Sequence, residues 1–190
     1  VCDKPSFNGF THKSCFLQSK KQITQSISVF KYQNLVRDSI KTSKFGSKKF
    51  ITLKKLAYES AYLLKEWGFD FKDFIITAVP PTKARYKIRG FNQAQIIAEI
   101  YSNKLNLNIE NSIISRIKDT KHQYKLDKFE RNKNIKNSFL VNKNINGLKI
   151  LIIDDIITTA STLKEISNEL YKNGVKEVRC LTLSKKFKEY

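Results

Sequence analysis
The chain is short of cysteine, of proline and of long apolar runs, and each shortage excludes a class of protein. Three cysteines in 190 residues cannot staple a disulfide scaffold, and they point to a reducing, cytoplasmic setting. Apolar stretches reach about four residues, as before Asp154, against the ~18 that a membrane-spanning helix needs. No secretory leader, internal repeat, Pro-rich linker or low-complexity tail is visible. The first residue is Val1 rather than Met, so further residues are expected upstream. Arginine is scarce as well: 6 residues against 30 lysines.

What is present is a 41% hydrophobic composition, suited to a folded α/β core, and a formal net charge of +19. That charge points to an acidic partner: nucleic acid, a phosphorylated ligand or anionic lipid. Lys, Asn and Ile are inflated together, as an A/T-rich coding sequence would produce, so the total is discounted. The clustering of arginine says more. Arg85, Arg89, Arg116 and Arg131 all fall between residues 80 and 131, and the guanidinium fork matches phosphate oxygens in a way Lys cannot.

Along the chain, residues 1–20 are a short polar segment bearing Cys and His, and residues 21–67 read as a hood or connecting region ending in a helix. That helix places Leu53, Leu56, Ala57, Ala61 and Leu64 on one face and stops at Gly68. From residue 68 to 190 the pattern alternates. FIITAV (74–79) is a strand closed by Pro80 and Pro81, and residues 91–105 have helical spacing. IISRI is a short strand, LKILII (148–153) a strand buried on both faces, and 161–174 a helix stopping at Gly174. KEVRCLTLS is a last strand that buries Cys180. Such alternation implies a parallel sheet flanked by helices.

The segment ILIIDDIITTASTL (150–163) carries the chemistry. A buried strand runs into two carboxylates, a hydroxyl-rich loop and a helix start, and ligands bind at the carboxyl ends of parallel strands. Asp154 and Asp155 can accept hydrogen bonds from two ribose hydroxyls. Thr158, Thr159, Ser161 and Thr162 offer hydroxyls to a 5′-phosphate at the positive end of a helix dipole. Helix capping is the competing explanation, since Thr162 and Glu165 have capping-box spacing. Capping does not account for two adjacent aspartates after four apolar residues. A Walker-B strand would, but the chain has no G-x-x-x-x-G-K-[ST] partner.

This segment resembles the phosphoribosyl-diphosphate (PRPP) binding motif of type I phosphoribosyltransferases. The resemblance implies that Asp154 and Asp155 hold the ribose, that Thr158 to Thr162 wrap the 5′-phosphate, and that Mg²⁺ bridges diphosphate and ribose oxygens. Ala160 stands where the family has Gly; if that position needs a positive φ, Ala carries a steric cost. RYKIRGFNQAQIIA (85–98), ISRIKDTKHQYKLDKFERNKNIKNSF (from residue 114) and VFKYQNLVRDSIKTSKFGSKKF further resemble the ComF family of competence proteins.

Lys83, Arg85, Lys87 and Arg89 read as a basic loop opening a helix, suited to a diphosphate or a nucleic-acid backbone. Gly90 marks a turn and Phe91 a core or staple residue. His122 and Tyr124 could contact a base or simply occupy a surface loop; for Tyr32, Phe45 and Phe50 the core reading is favoured over a stacking surface. Cys2, His12 and Cys15 have the ligand chemistry of a zinc site, and ComF-like proteins carry a four-ligand zinc module here, which places a fourth ligand upstream of Val1.

The expectation is therefore a type I phosphoribosyltransferase-like α/β fold with an N-terminal structural Zn²⁺ module. The resemblance implies a cytoplasmic PRPP-binding protein that handles single-stranded DNA, alongside other DNA-uptake components, during natural transformation. An active transferase that uses Mg²⁺ and releases pyrophosphate is the alternative, and a PRPP sensor is a third.

Overall fold
The computed structural model describes residues 23–44, 50–118 and 135–186. Cys2, His12, Cys15, Phe45, His122, Tyr124 and Arg131 lie outside them, and so does the zinc module expected at residues 1–20.

The order of elements is β1 (Gln25–Lys31), α1 (Asn34–Thr42), α2 (Phe50–Glu66), β2 (Phe74–Ala78), α3 (Lys83–Arg89), α4 (Gln93–Leu105), β3 (Ile114–Arg116), β4 (Phe139–Val141), β5 (Lys149–Ile157), α5 (Ser161–Lys172) and β6 (Glu177–Lys185). Strands β1, β6, β5 and β2, in that spatial order, form a four-stranded parallel sheet. Ile150, Leu151, Ile152 and Ile153 are all 0% exposed, so both faces of β5 are covered. Continuous apolar character is what a central parallel strand requires. Helices α2 and α4 pack on each other and against the sheet, α2 on β1 and β6 and α4 on β2 and β5. Helix α5 packs on β6 and on the small antiparallel ribbon of β3 and β4.

The stripe expected on α2 is the buried one, with Leu53, Ala57, Ala61 and Leu64 in the core and Leu56 at its edge. Ser60 lies among them, its hydroxyl 2.7 Å from the buried Tyr101 hydroxyl of α4. The helix stops at Gly68 in a Schellman arrangement: Phe69 N–H donates to the Leu64 carbonyl (3.0 Å) and Gly68 N–H to that of Lys65 (2.9 Å). Gly68 has φ +69°, open to glycine without strain.

Three expectations need correction. The segment at 21–67 is not separate from the core, because β1 is the edge strand of the main sheet and pairs with β6 from Gln25↔Arg179 to Lys31↔Lys185. Its residues QSISVFK are polar enough to hide a strand, since one side of an edge strand needs no apolar partner. Strand β5 does not end before the aspartates but runs on to Ile157, held by pairing that reaches Ile157↔Lys185. Residues 83–89 are not a loop but a helix of about two turns. The Thr82 hydroxyl accepts from Arg85 N–H at 3.1 Å to start it, and Gly90 at φ +75° ends it.

Candidate functional site
The carboxyl ends of β2 and β5 are neighbours in the sheet, the place where parallel sheets bind ligands. From β5 come Asp154 and Asp155, still in the strand, followed by the turn Thr158–Ala160 and the start of α5. Asp154, Ile156, Ile157 and residues 158 to 163 line one pocket, which brings Asp154 together with the Thr/Ser loop as the sequence implied. Asp155 follows it in the strand and is half-buried. Its N–H donates to Asp154 Oδ1 at 2.9 Å, and its carboxylate lies 3.5 Å from the Lys44 ammonium.

Asp154 titrates well above the ordinary carboxylate value of 3.8. Burial is the main cause and the neighbouring Asp155 charge the second; Lys44 works in the opposite direction. A buried carboxyl pressed against a second one favours any cation that can share the charge. Among the described residues, two carboxylates meet here. That fits Mg²⁺, which typically takes one or two carboxylates and completes its shell with water and ligand phosphates.

The turn at the head of α5 is strained in a useful way. Ala160 is the N-cap with φ 57° and ψ 10°, and no side chain caps the helix. The capping box weighed as the competing explanation is not the one present: Thr162 lies inside the helix rather than at its N-cap, and Glu165 Oε1 accepts from Asn137 N–H at 2.7 Å. Thr159 and Ser161 hydroxyls lie 2.9 Å apart. A helix N-terminus whose N-cap offers no side chain suits an incoming anion. The left-handed conformation costs Ala about 1–2 kcal/mol, while Gly would lose more chain entropy. Ala160→Gly should therefore raise stability by a net ~0.5–1 kcal/mol in urea unfolding. An Ala160→Gly variant less stable than the parent would contradict this backbone.

Opposite stands the segment after β2. Val79 N–H donates to the Ile153 carbonyl at 2.9 Å, which ties the Val79–Pro81 turn to β5 just before the aspartates. Asn92 caps α4 by accepting from Ala94 N–H (3.1 Å), and its amide donates back to the Val79 carbonyl (3.1 Å). So Asn92 is an organiser of the turn, and the buried Gln93 beside it accepts from Arg89 Nη1 at 3.0 Å. On α3, Arg85 and Arg89 are half-buried and share one face at i, i+4 spacing. Lys83 and Lys87 share another and are exposed. The four cations therefore form two pairs rather than one cradle. Phe91 packs edge-on against Phe50, ring centroids 5.8 Å apart, so both are packing residues. Cys180 is fully buried in β6, where burial pushes its thiol up and leaves it unreactive.

Sequence reasoning missed Lys44, one lysine among thirty, and Asn111, whose Oδ1 accepts from Ala78 N–H at 3.0 Å. Lys44 lies within the ComF-like stretch, where nothing marks it out from its neighbours, and Asn111 lies in no motif; the fold brings both to the site.

Residues 92–190, just over half of the chain, match the family model described as "Phosphoribosyl transferase domain", and the chain belongs to that family. Within it, the chain is of the ComF kind. It is 36% identical over 113 residues to "Competence protein F" of Haemophilus influenzae, covering 58% of this chain and 49% of that protein. It is 31% identical over 132 residues to "DNA utilization protein YhgH" of Escherichia coli K12, covering 67% and 58%. "Competence protein ComFC" of Bacillus subtilis is 28% identical over 156 residues, covering 80% and 60%. The chain thus spans about half the length of the curated relatives it matches. No helix among the described residues is long and apolar enough to cross a membrane.

Proposed function
We propose that this chain binds PRPP with Mg²⁺ and serves a ComF-type protein in handling single-stranded DNA during natural transformation. One observation carries the PRPP reading: a half-buried acidic pair near the carboxyl end of β5 is followed, after a Thr/Ser turn, by a helix whose N-terminus no side chain caps. Asp154 and Asp155 would accept from the ribose hydroxyls. The Thr158–Thr162 turn would hold the 5′-phosphate, and Arg85 and Arg89 would face the diphosphate. When bound, Mg²⁺ supplies positive charge at the diphosphate, and the acidic pair is the group on this chain that would draw it in. The DNA reading is supported by the names of the relatives, by the net charge of +19 and by the exposed lysines of α3.

The alternative, a transferase that passes the ribose 5-phosphate to an acceptor, would use the same site. The two separate in one assay. Incubation with PRPP, Mg²⁺ and a panel of nucleobases and other nucleophiles should show PRPP bound by calorimetry and no pyrophosphate released. Turnover would make the chain an enzyme, and failure to bind PRPP would remove both readings.

A further inference from the structure
Two adjacent, half-buried carboxylates would ordinarily attract a free divalent cation, with or without a phosphorylated ligand. In this chain a cation is already built in beside them. Lys44 follows the end of α1, where its N–H donates to the Lys41 carbonyl at 3.1 Å. Its neighbour Ser43 is fully buried, and the Ser43 hydroxyl donates to the Ile40 carbonyl at 2.8 Å. Ile40 is itself 0% exposed, so the turn that launches Lys44 is anchored in the core. The side chain then reaches Asp155 across the fold, with 19% of the lysine and 14% of the aspartate side chain accessible.

The separation is 3.5 Å, long for a charge-assisted hydrogen bond and within ion-pair range. At that distance the ammonium neutralises the carboxylate without consuming its lone pairs, which remain free to accept from a ligand. Such a half-shielded pair interacts far more strongly than an exposed one. A metal dication approaching the aspartates alone meets a fixed positive charge a few ångströms away. A dication arriving with an anionic diphosphate brings its own neutralising charge and meets no such barrier.

We infer that Lys44 is an internal counter-ion that excludes free divalent cations from the acidic pair, so that the metal enters only as its complex with the phosphorylated ligand. This rests on the proposed PRPP site for its ligand but not for its test. Lys44 is thus a specificity-determining residue, placed in the site by α1 rather than by the motif.

The experiment titrates Mn²⁺, as a paramagnetic stand-in for Mg²⁺, into the full chain without PRPP and reads bound ion by electron paramagnetic resonance. The parent should bind weakly, Lys44→Met at least about tenfold more tightly, and Lys44→Arg like the parent because the charge is kept. Thermal melts should agree: Mn²⁺ raises the melting temperature of Lys44→Met and leaves the parent unmoved. Equal Mn²⁺ affinity in the parent and Lys44→Met would overturn the inference, and so would a gain in Lys44→Arg matching that in Lys44→Met. If Lys44→Met does not fold, Lys44→Gln, which keeps half of the stem's methylenes and a polar tip and loses the charge, decides by the same criterion. PRPP calorimetry on the parent is run separately. Its failure would sink the ligand and leave the result on the bare ion standing.

Discussion

Replacing Asp154 and Asp155 together by Asn should reduce PRPP affinity at least about a hundredfold, the equivalent of ~3 kcal/mol. Two charge-assisted acceptors to ribose hydroxyls are lost, each worth roughly 1.5–3 kcal/mol, along with the attraction for the metal. Isothermal calorimetry with Mg²⁺ present measures the loss, and circular dichroism confirms that the sheet persists. The same site predicts an opposite effect on stability. Asp154 holds its proton above the ordinary value of 3.8, chiefly because burial penalises the charged form and secondly because Asp155 repels it. A carboxyl whose folded value is raised withdraws stability as pH climbs from 3.8 through the folded value, and the loss is complete above it. Asp154→Asn removes that loss, so it should melt higher than the parent at neutral pH, and the gap should close as pH falls below 3.8. A site that binds at the expense of stability is what function at a strained position looks like. Undiminished PRPP affinity in the double variant would end the assignment.

How much of this could be read from the sequence depends on the kind of signal. Strand β5 was legible because four consecutive apolar residues have no other economical place, and α2 because its apolar residues repeat at helical spacing. The acidic pair and the Thr/Ser turn were legible because they follow one another in the chain. The positive φ of Ala160 was anticipated from what Gly would do at that position. Strand β1 was not legible: QSISVFK alternates weakly, and its partner β6 lies some 150 residues away, as Gln25↔Arg179 shows. The basic segment 83–89 was mistaken for a loop because its cations mask the local cap from Thr82 and the stop at Gly90. The capping box was a true spacing with a false partner, since tertiary contact drew Glu165 to Asn137. Lys44 shows the limit most clearly. Nothing local distinguishes it from other lysines, and only the packing of α1 delivers it to Asp155.

Single-stranded DNA should bind with little sequence preference and with an affinity that falls steeply as salt rises, about −0.7 in log–log slope per phosphate neutralised. The geometry of α3 divides its cations between two tasks. Lys83 and Lys87 are exposed and one turn apart, placed to meet a flexible backbone. Arg85 and Arg89 are half-buried, and Arg89 is already oriented by Gln93, which suits a fixed diphosphate rather than a moving strand. Lys83→Ala with Lys87→Ala should therefore flatten the salt dependence by about 1–1.5 units and leave PRPP affinity unchanged. Arg85→Ala with Arg89→Ala should do the reverse, weakening PRPP at least about tenfold with a smaller effect on the DNA slope. Fluorescence-anisotropy titrations of a labelled oligonucleotide at several salt concentrations, with and without PRPP, measure both. An unchanged slope in the lysine variant would move the DNA track off α3. A parent slope near zero, or no binding at low salt, would remove DNA handling altogether. The PRPP site would then be left to serve a transferase or a sensor.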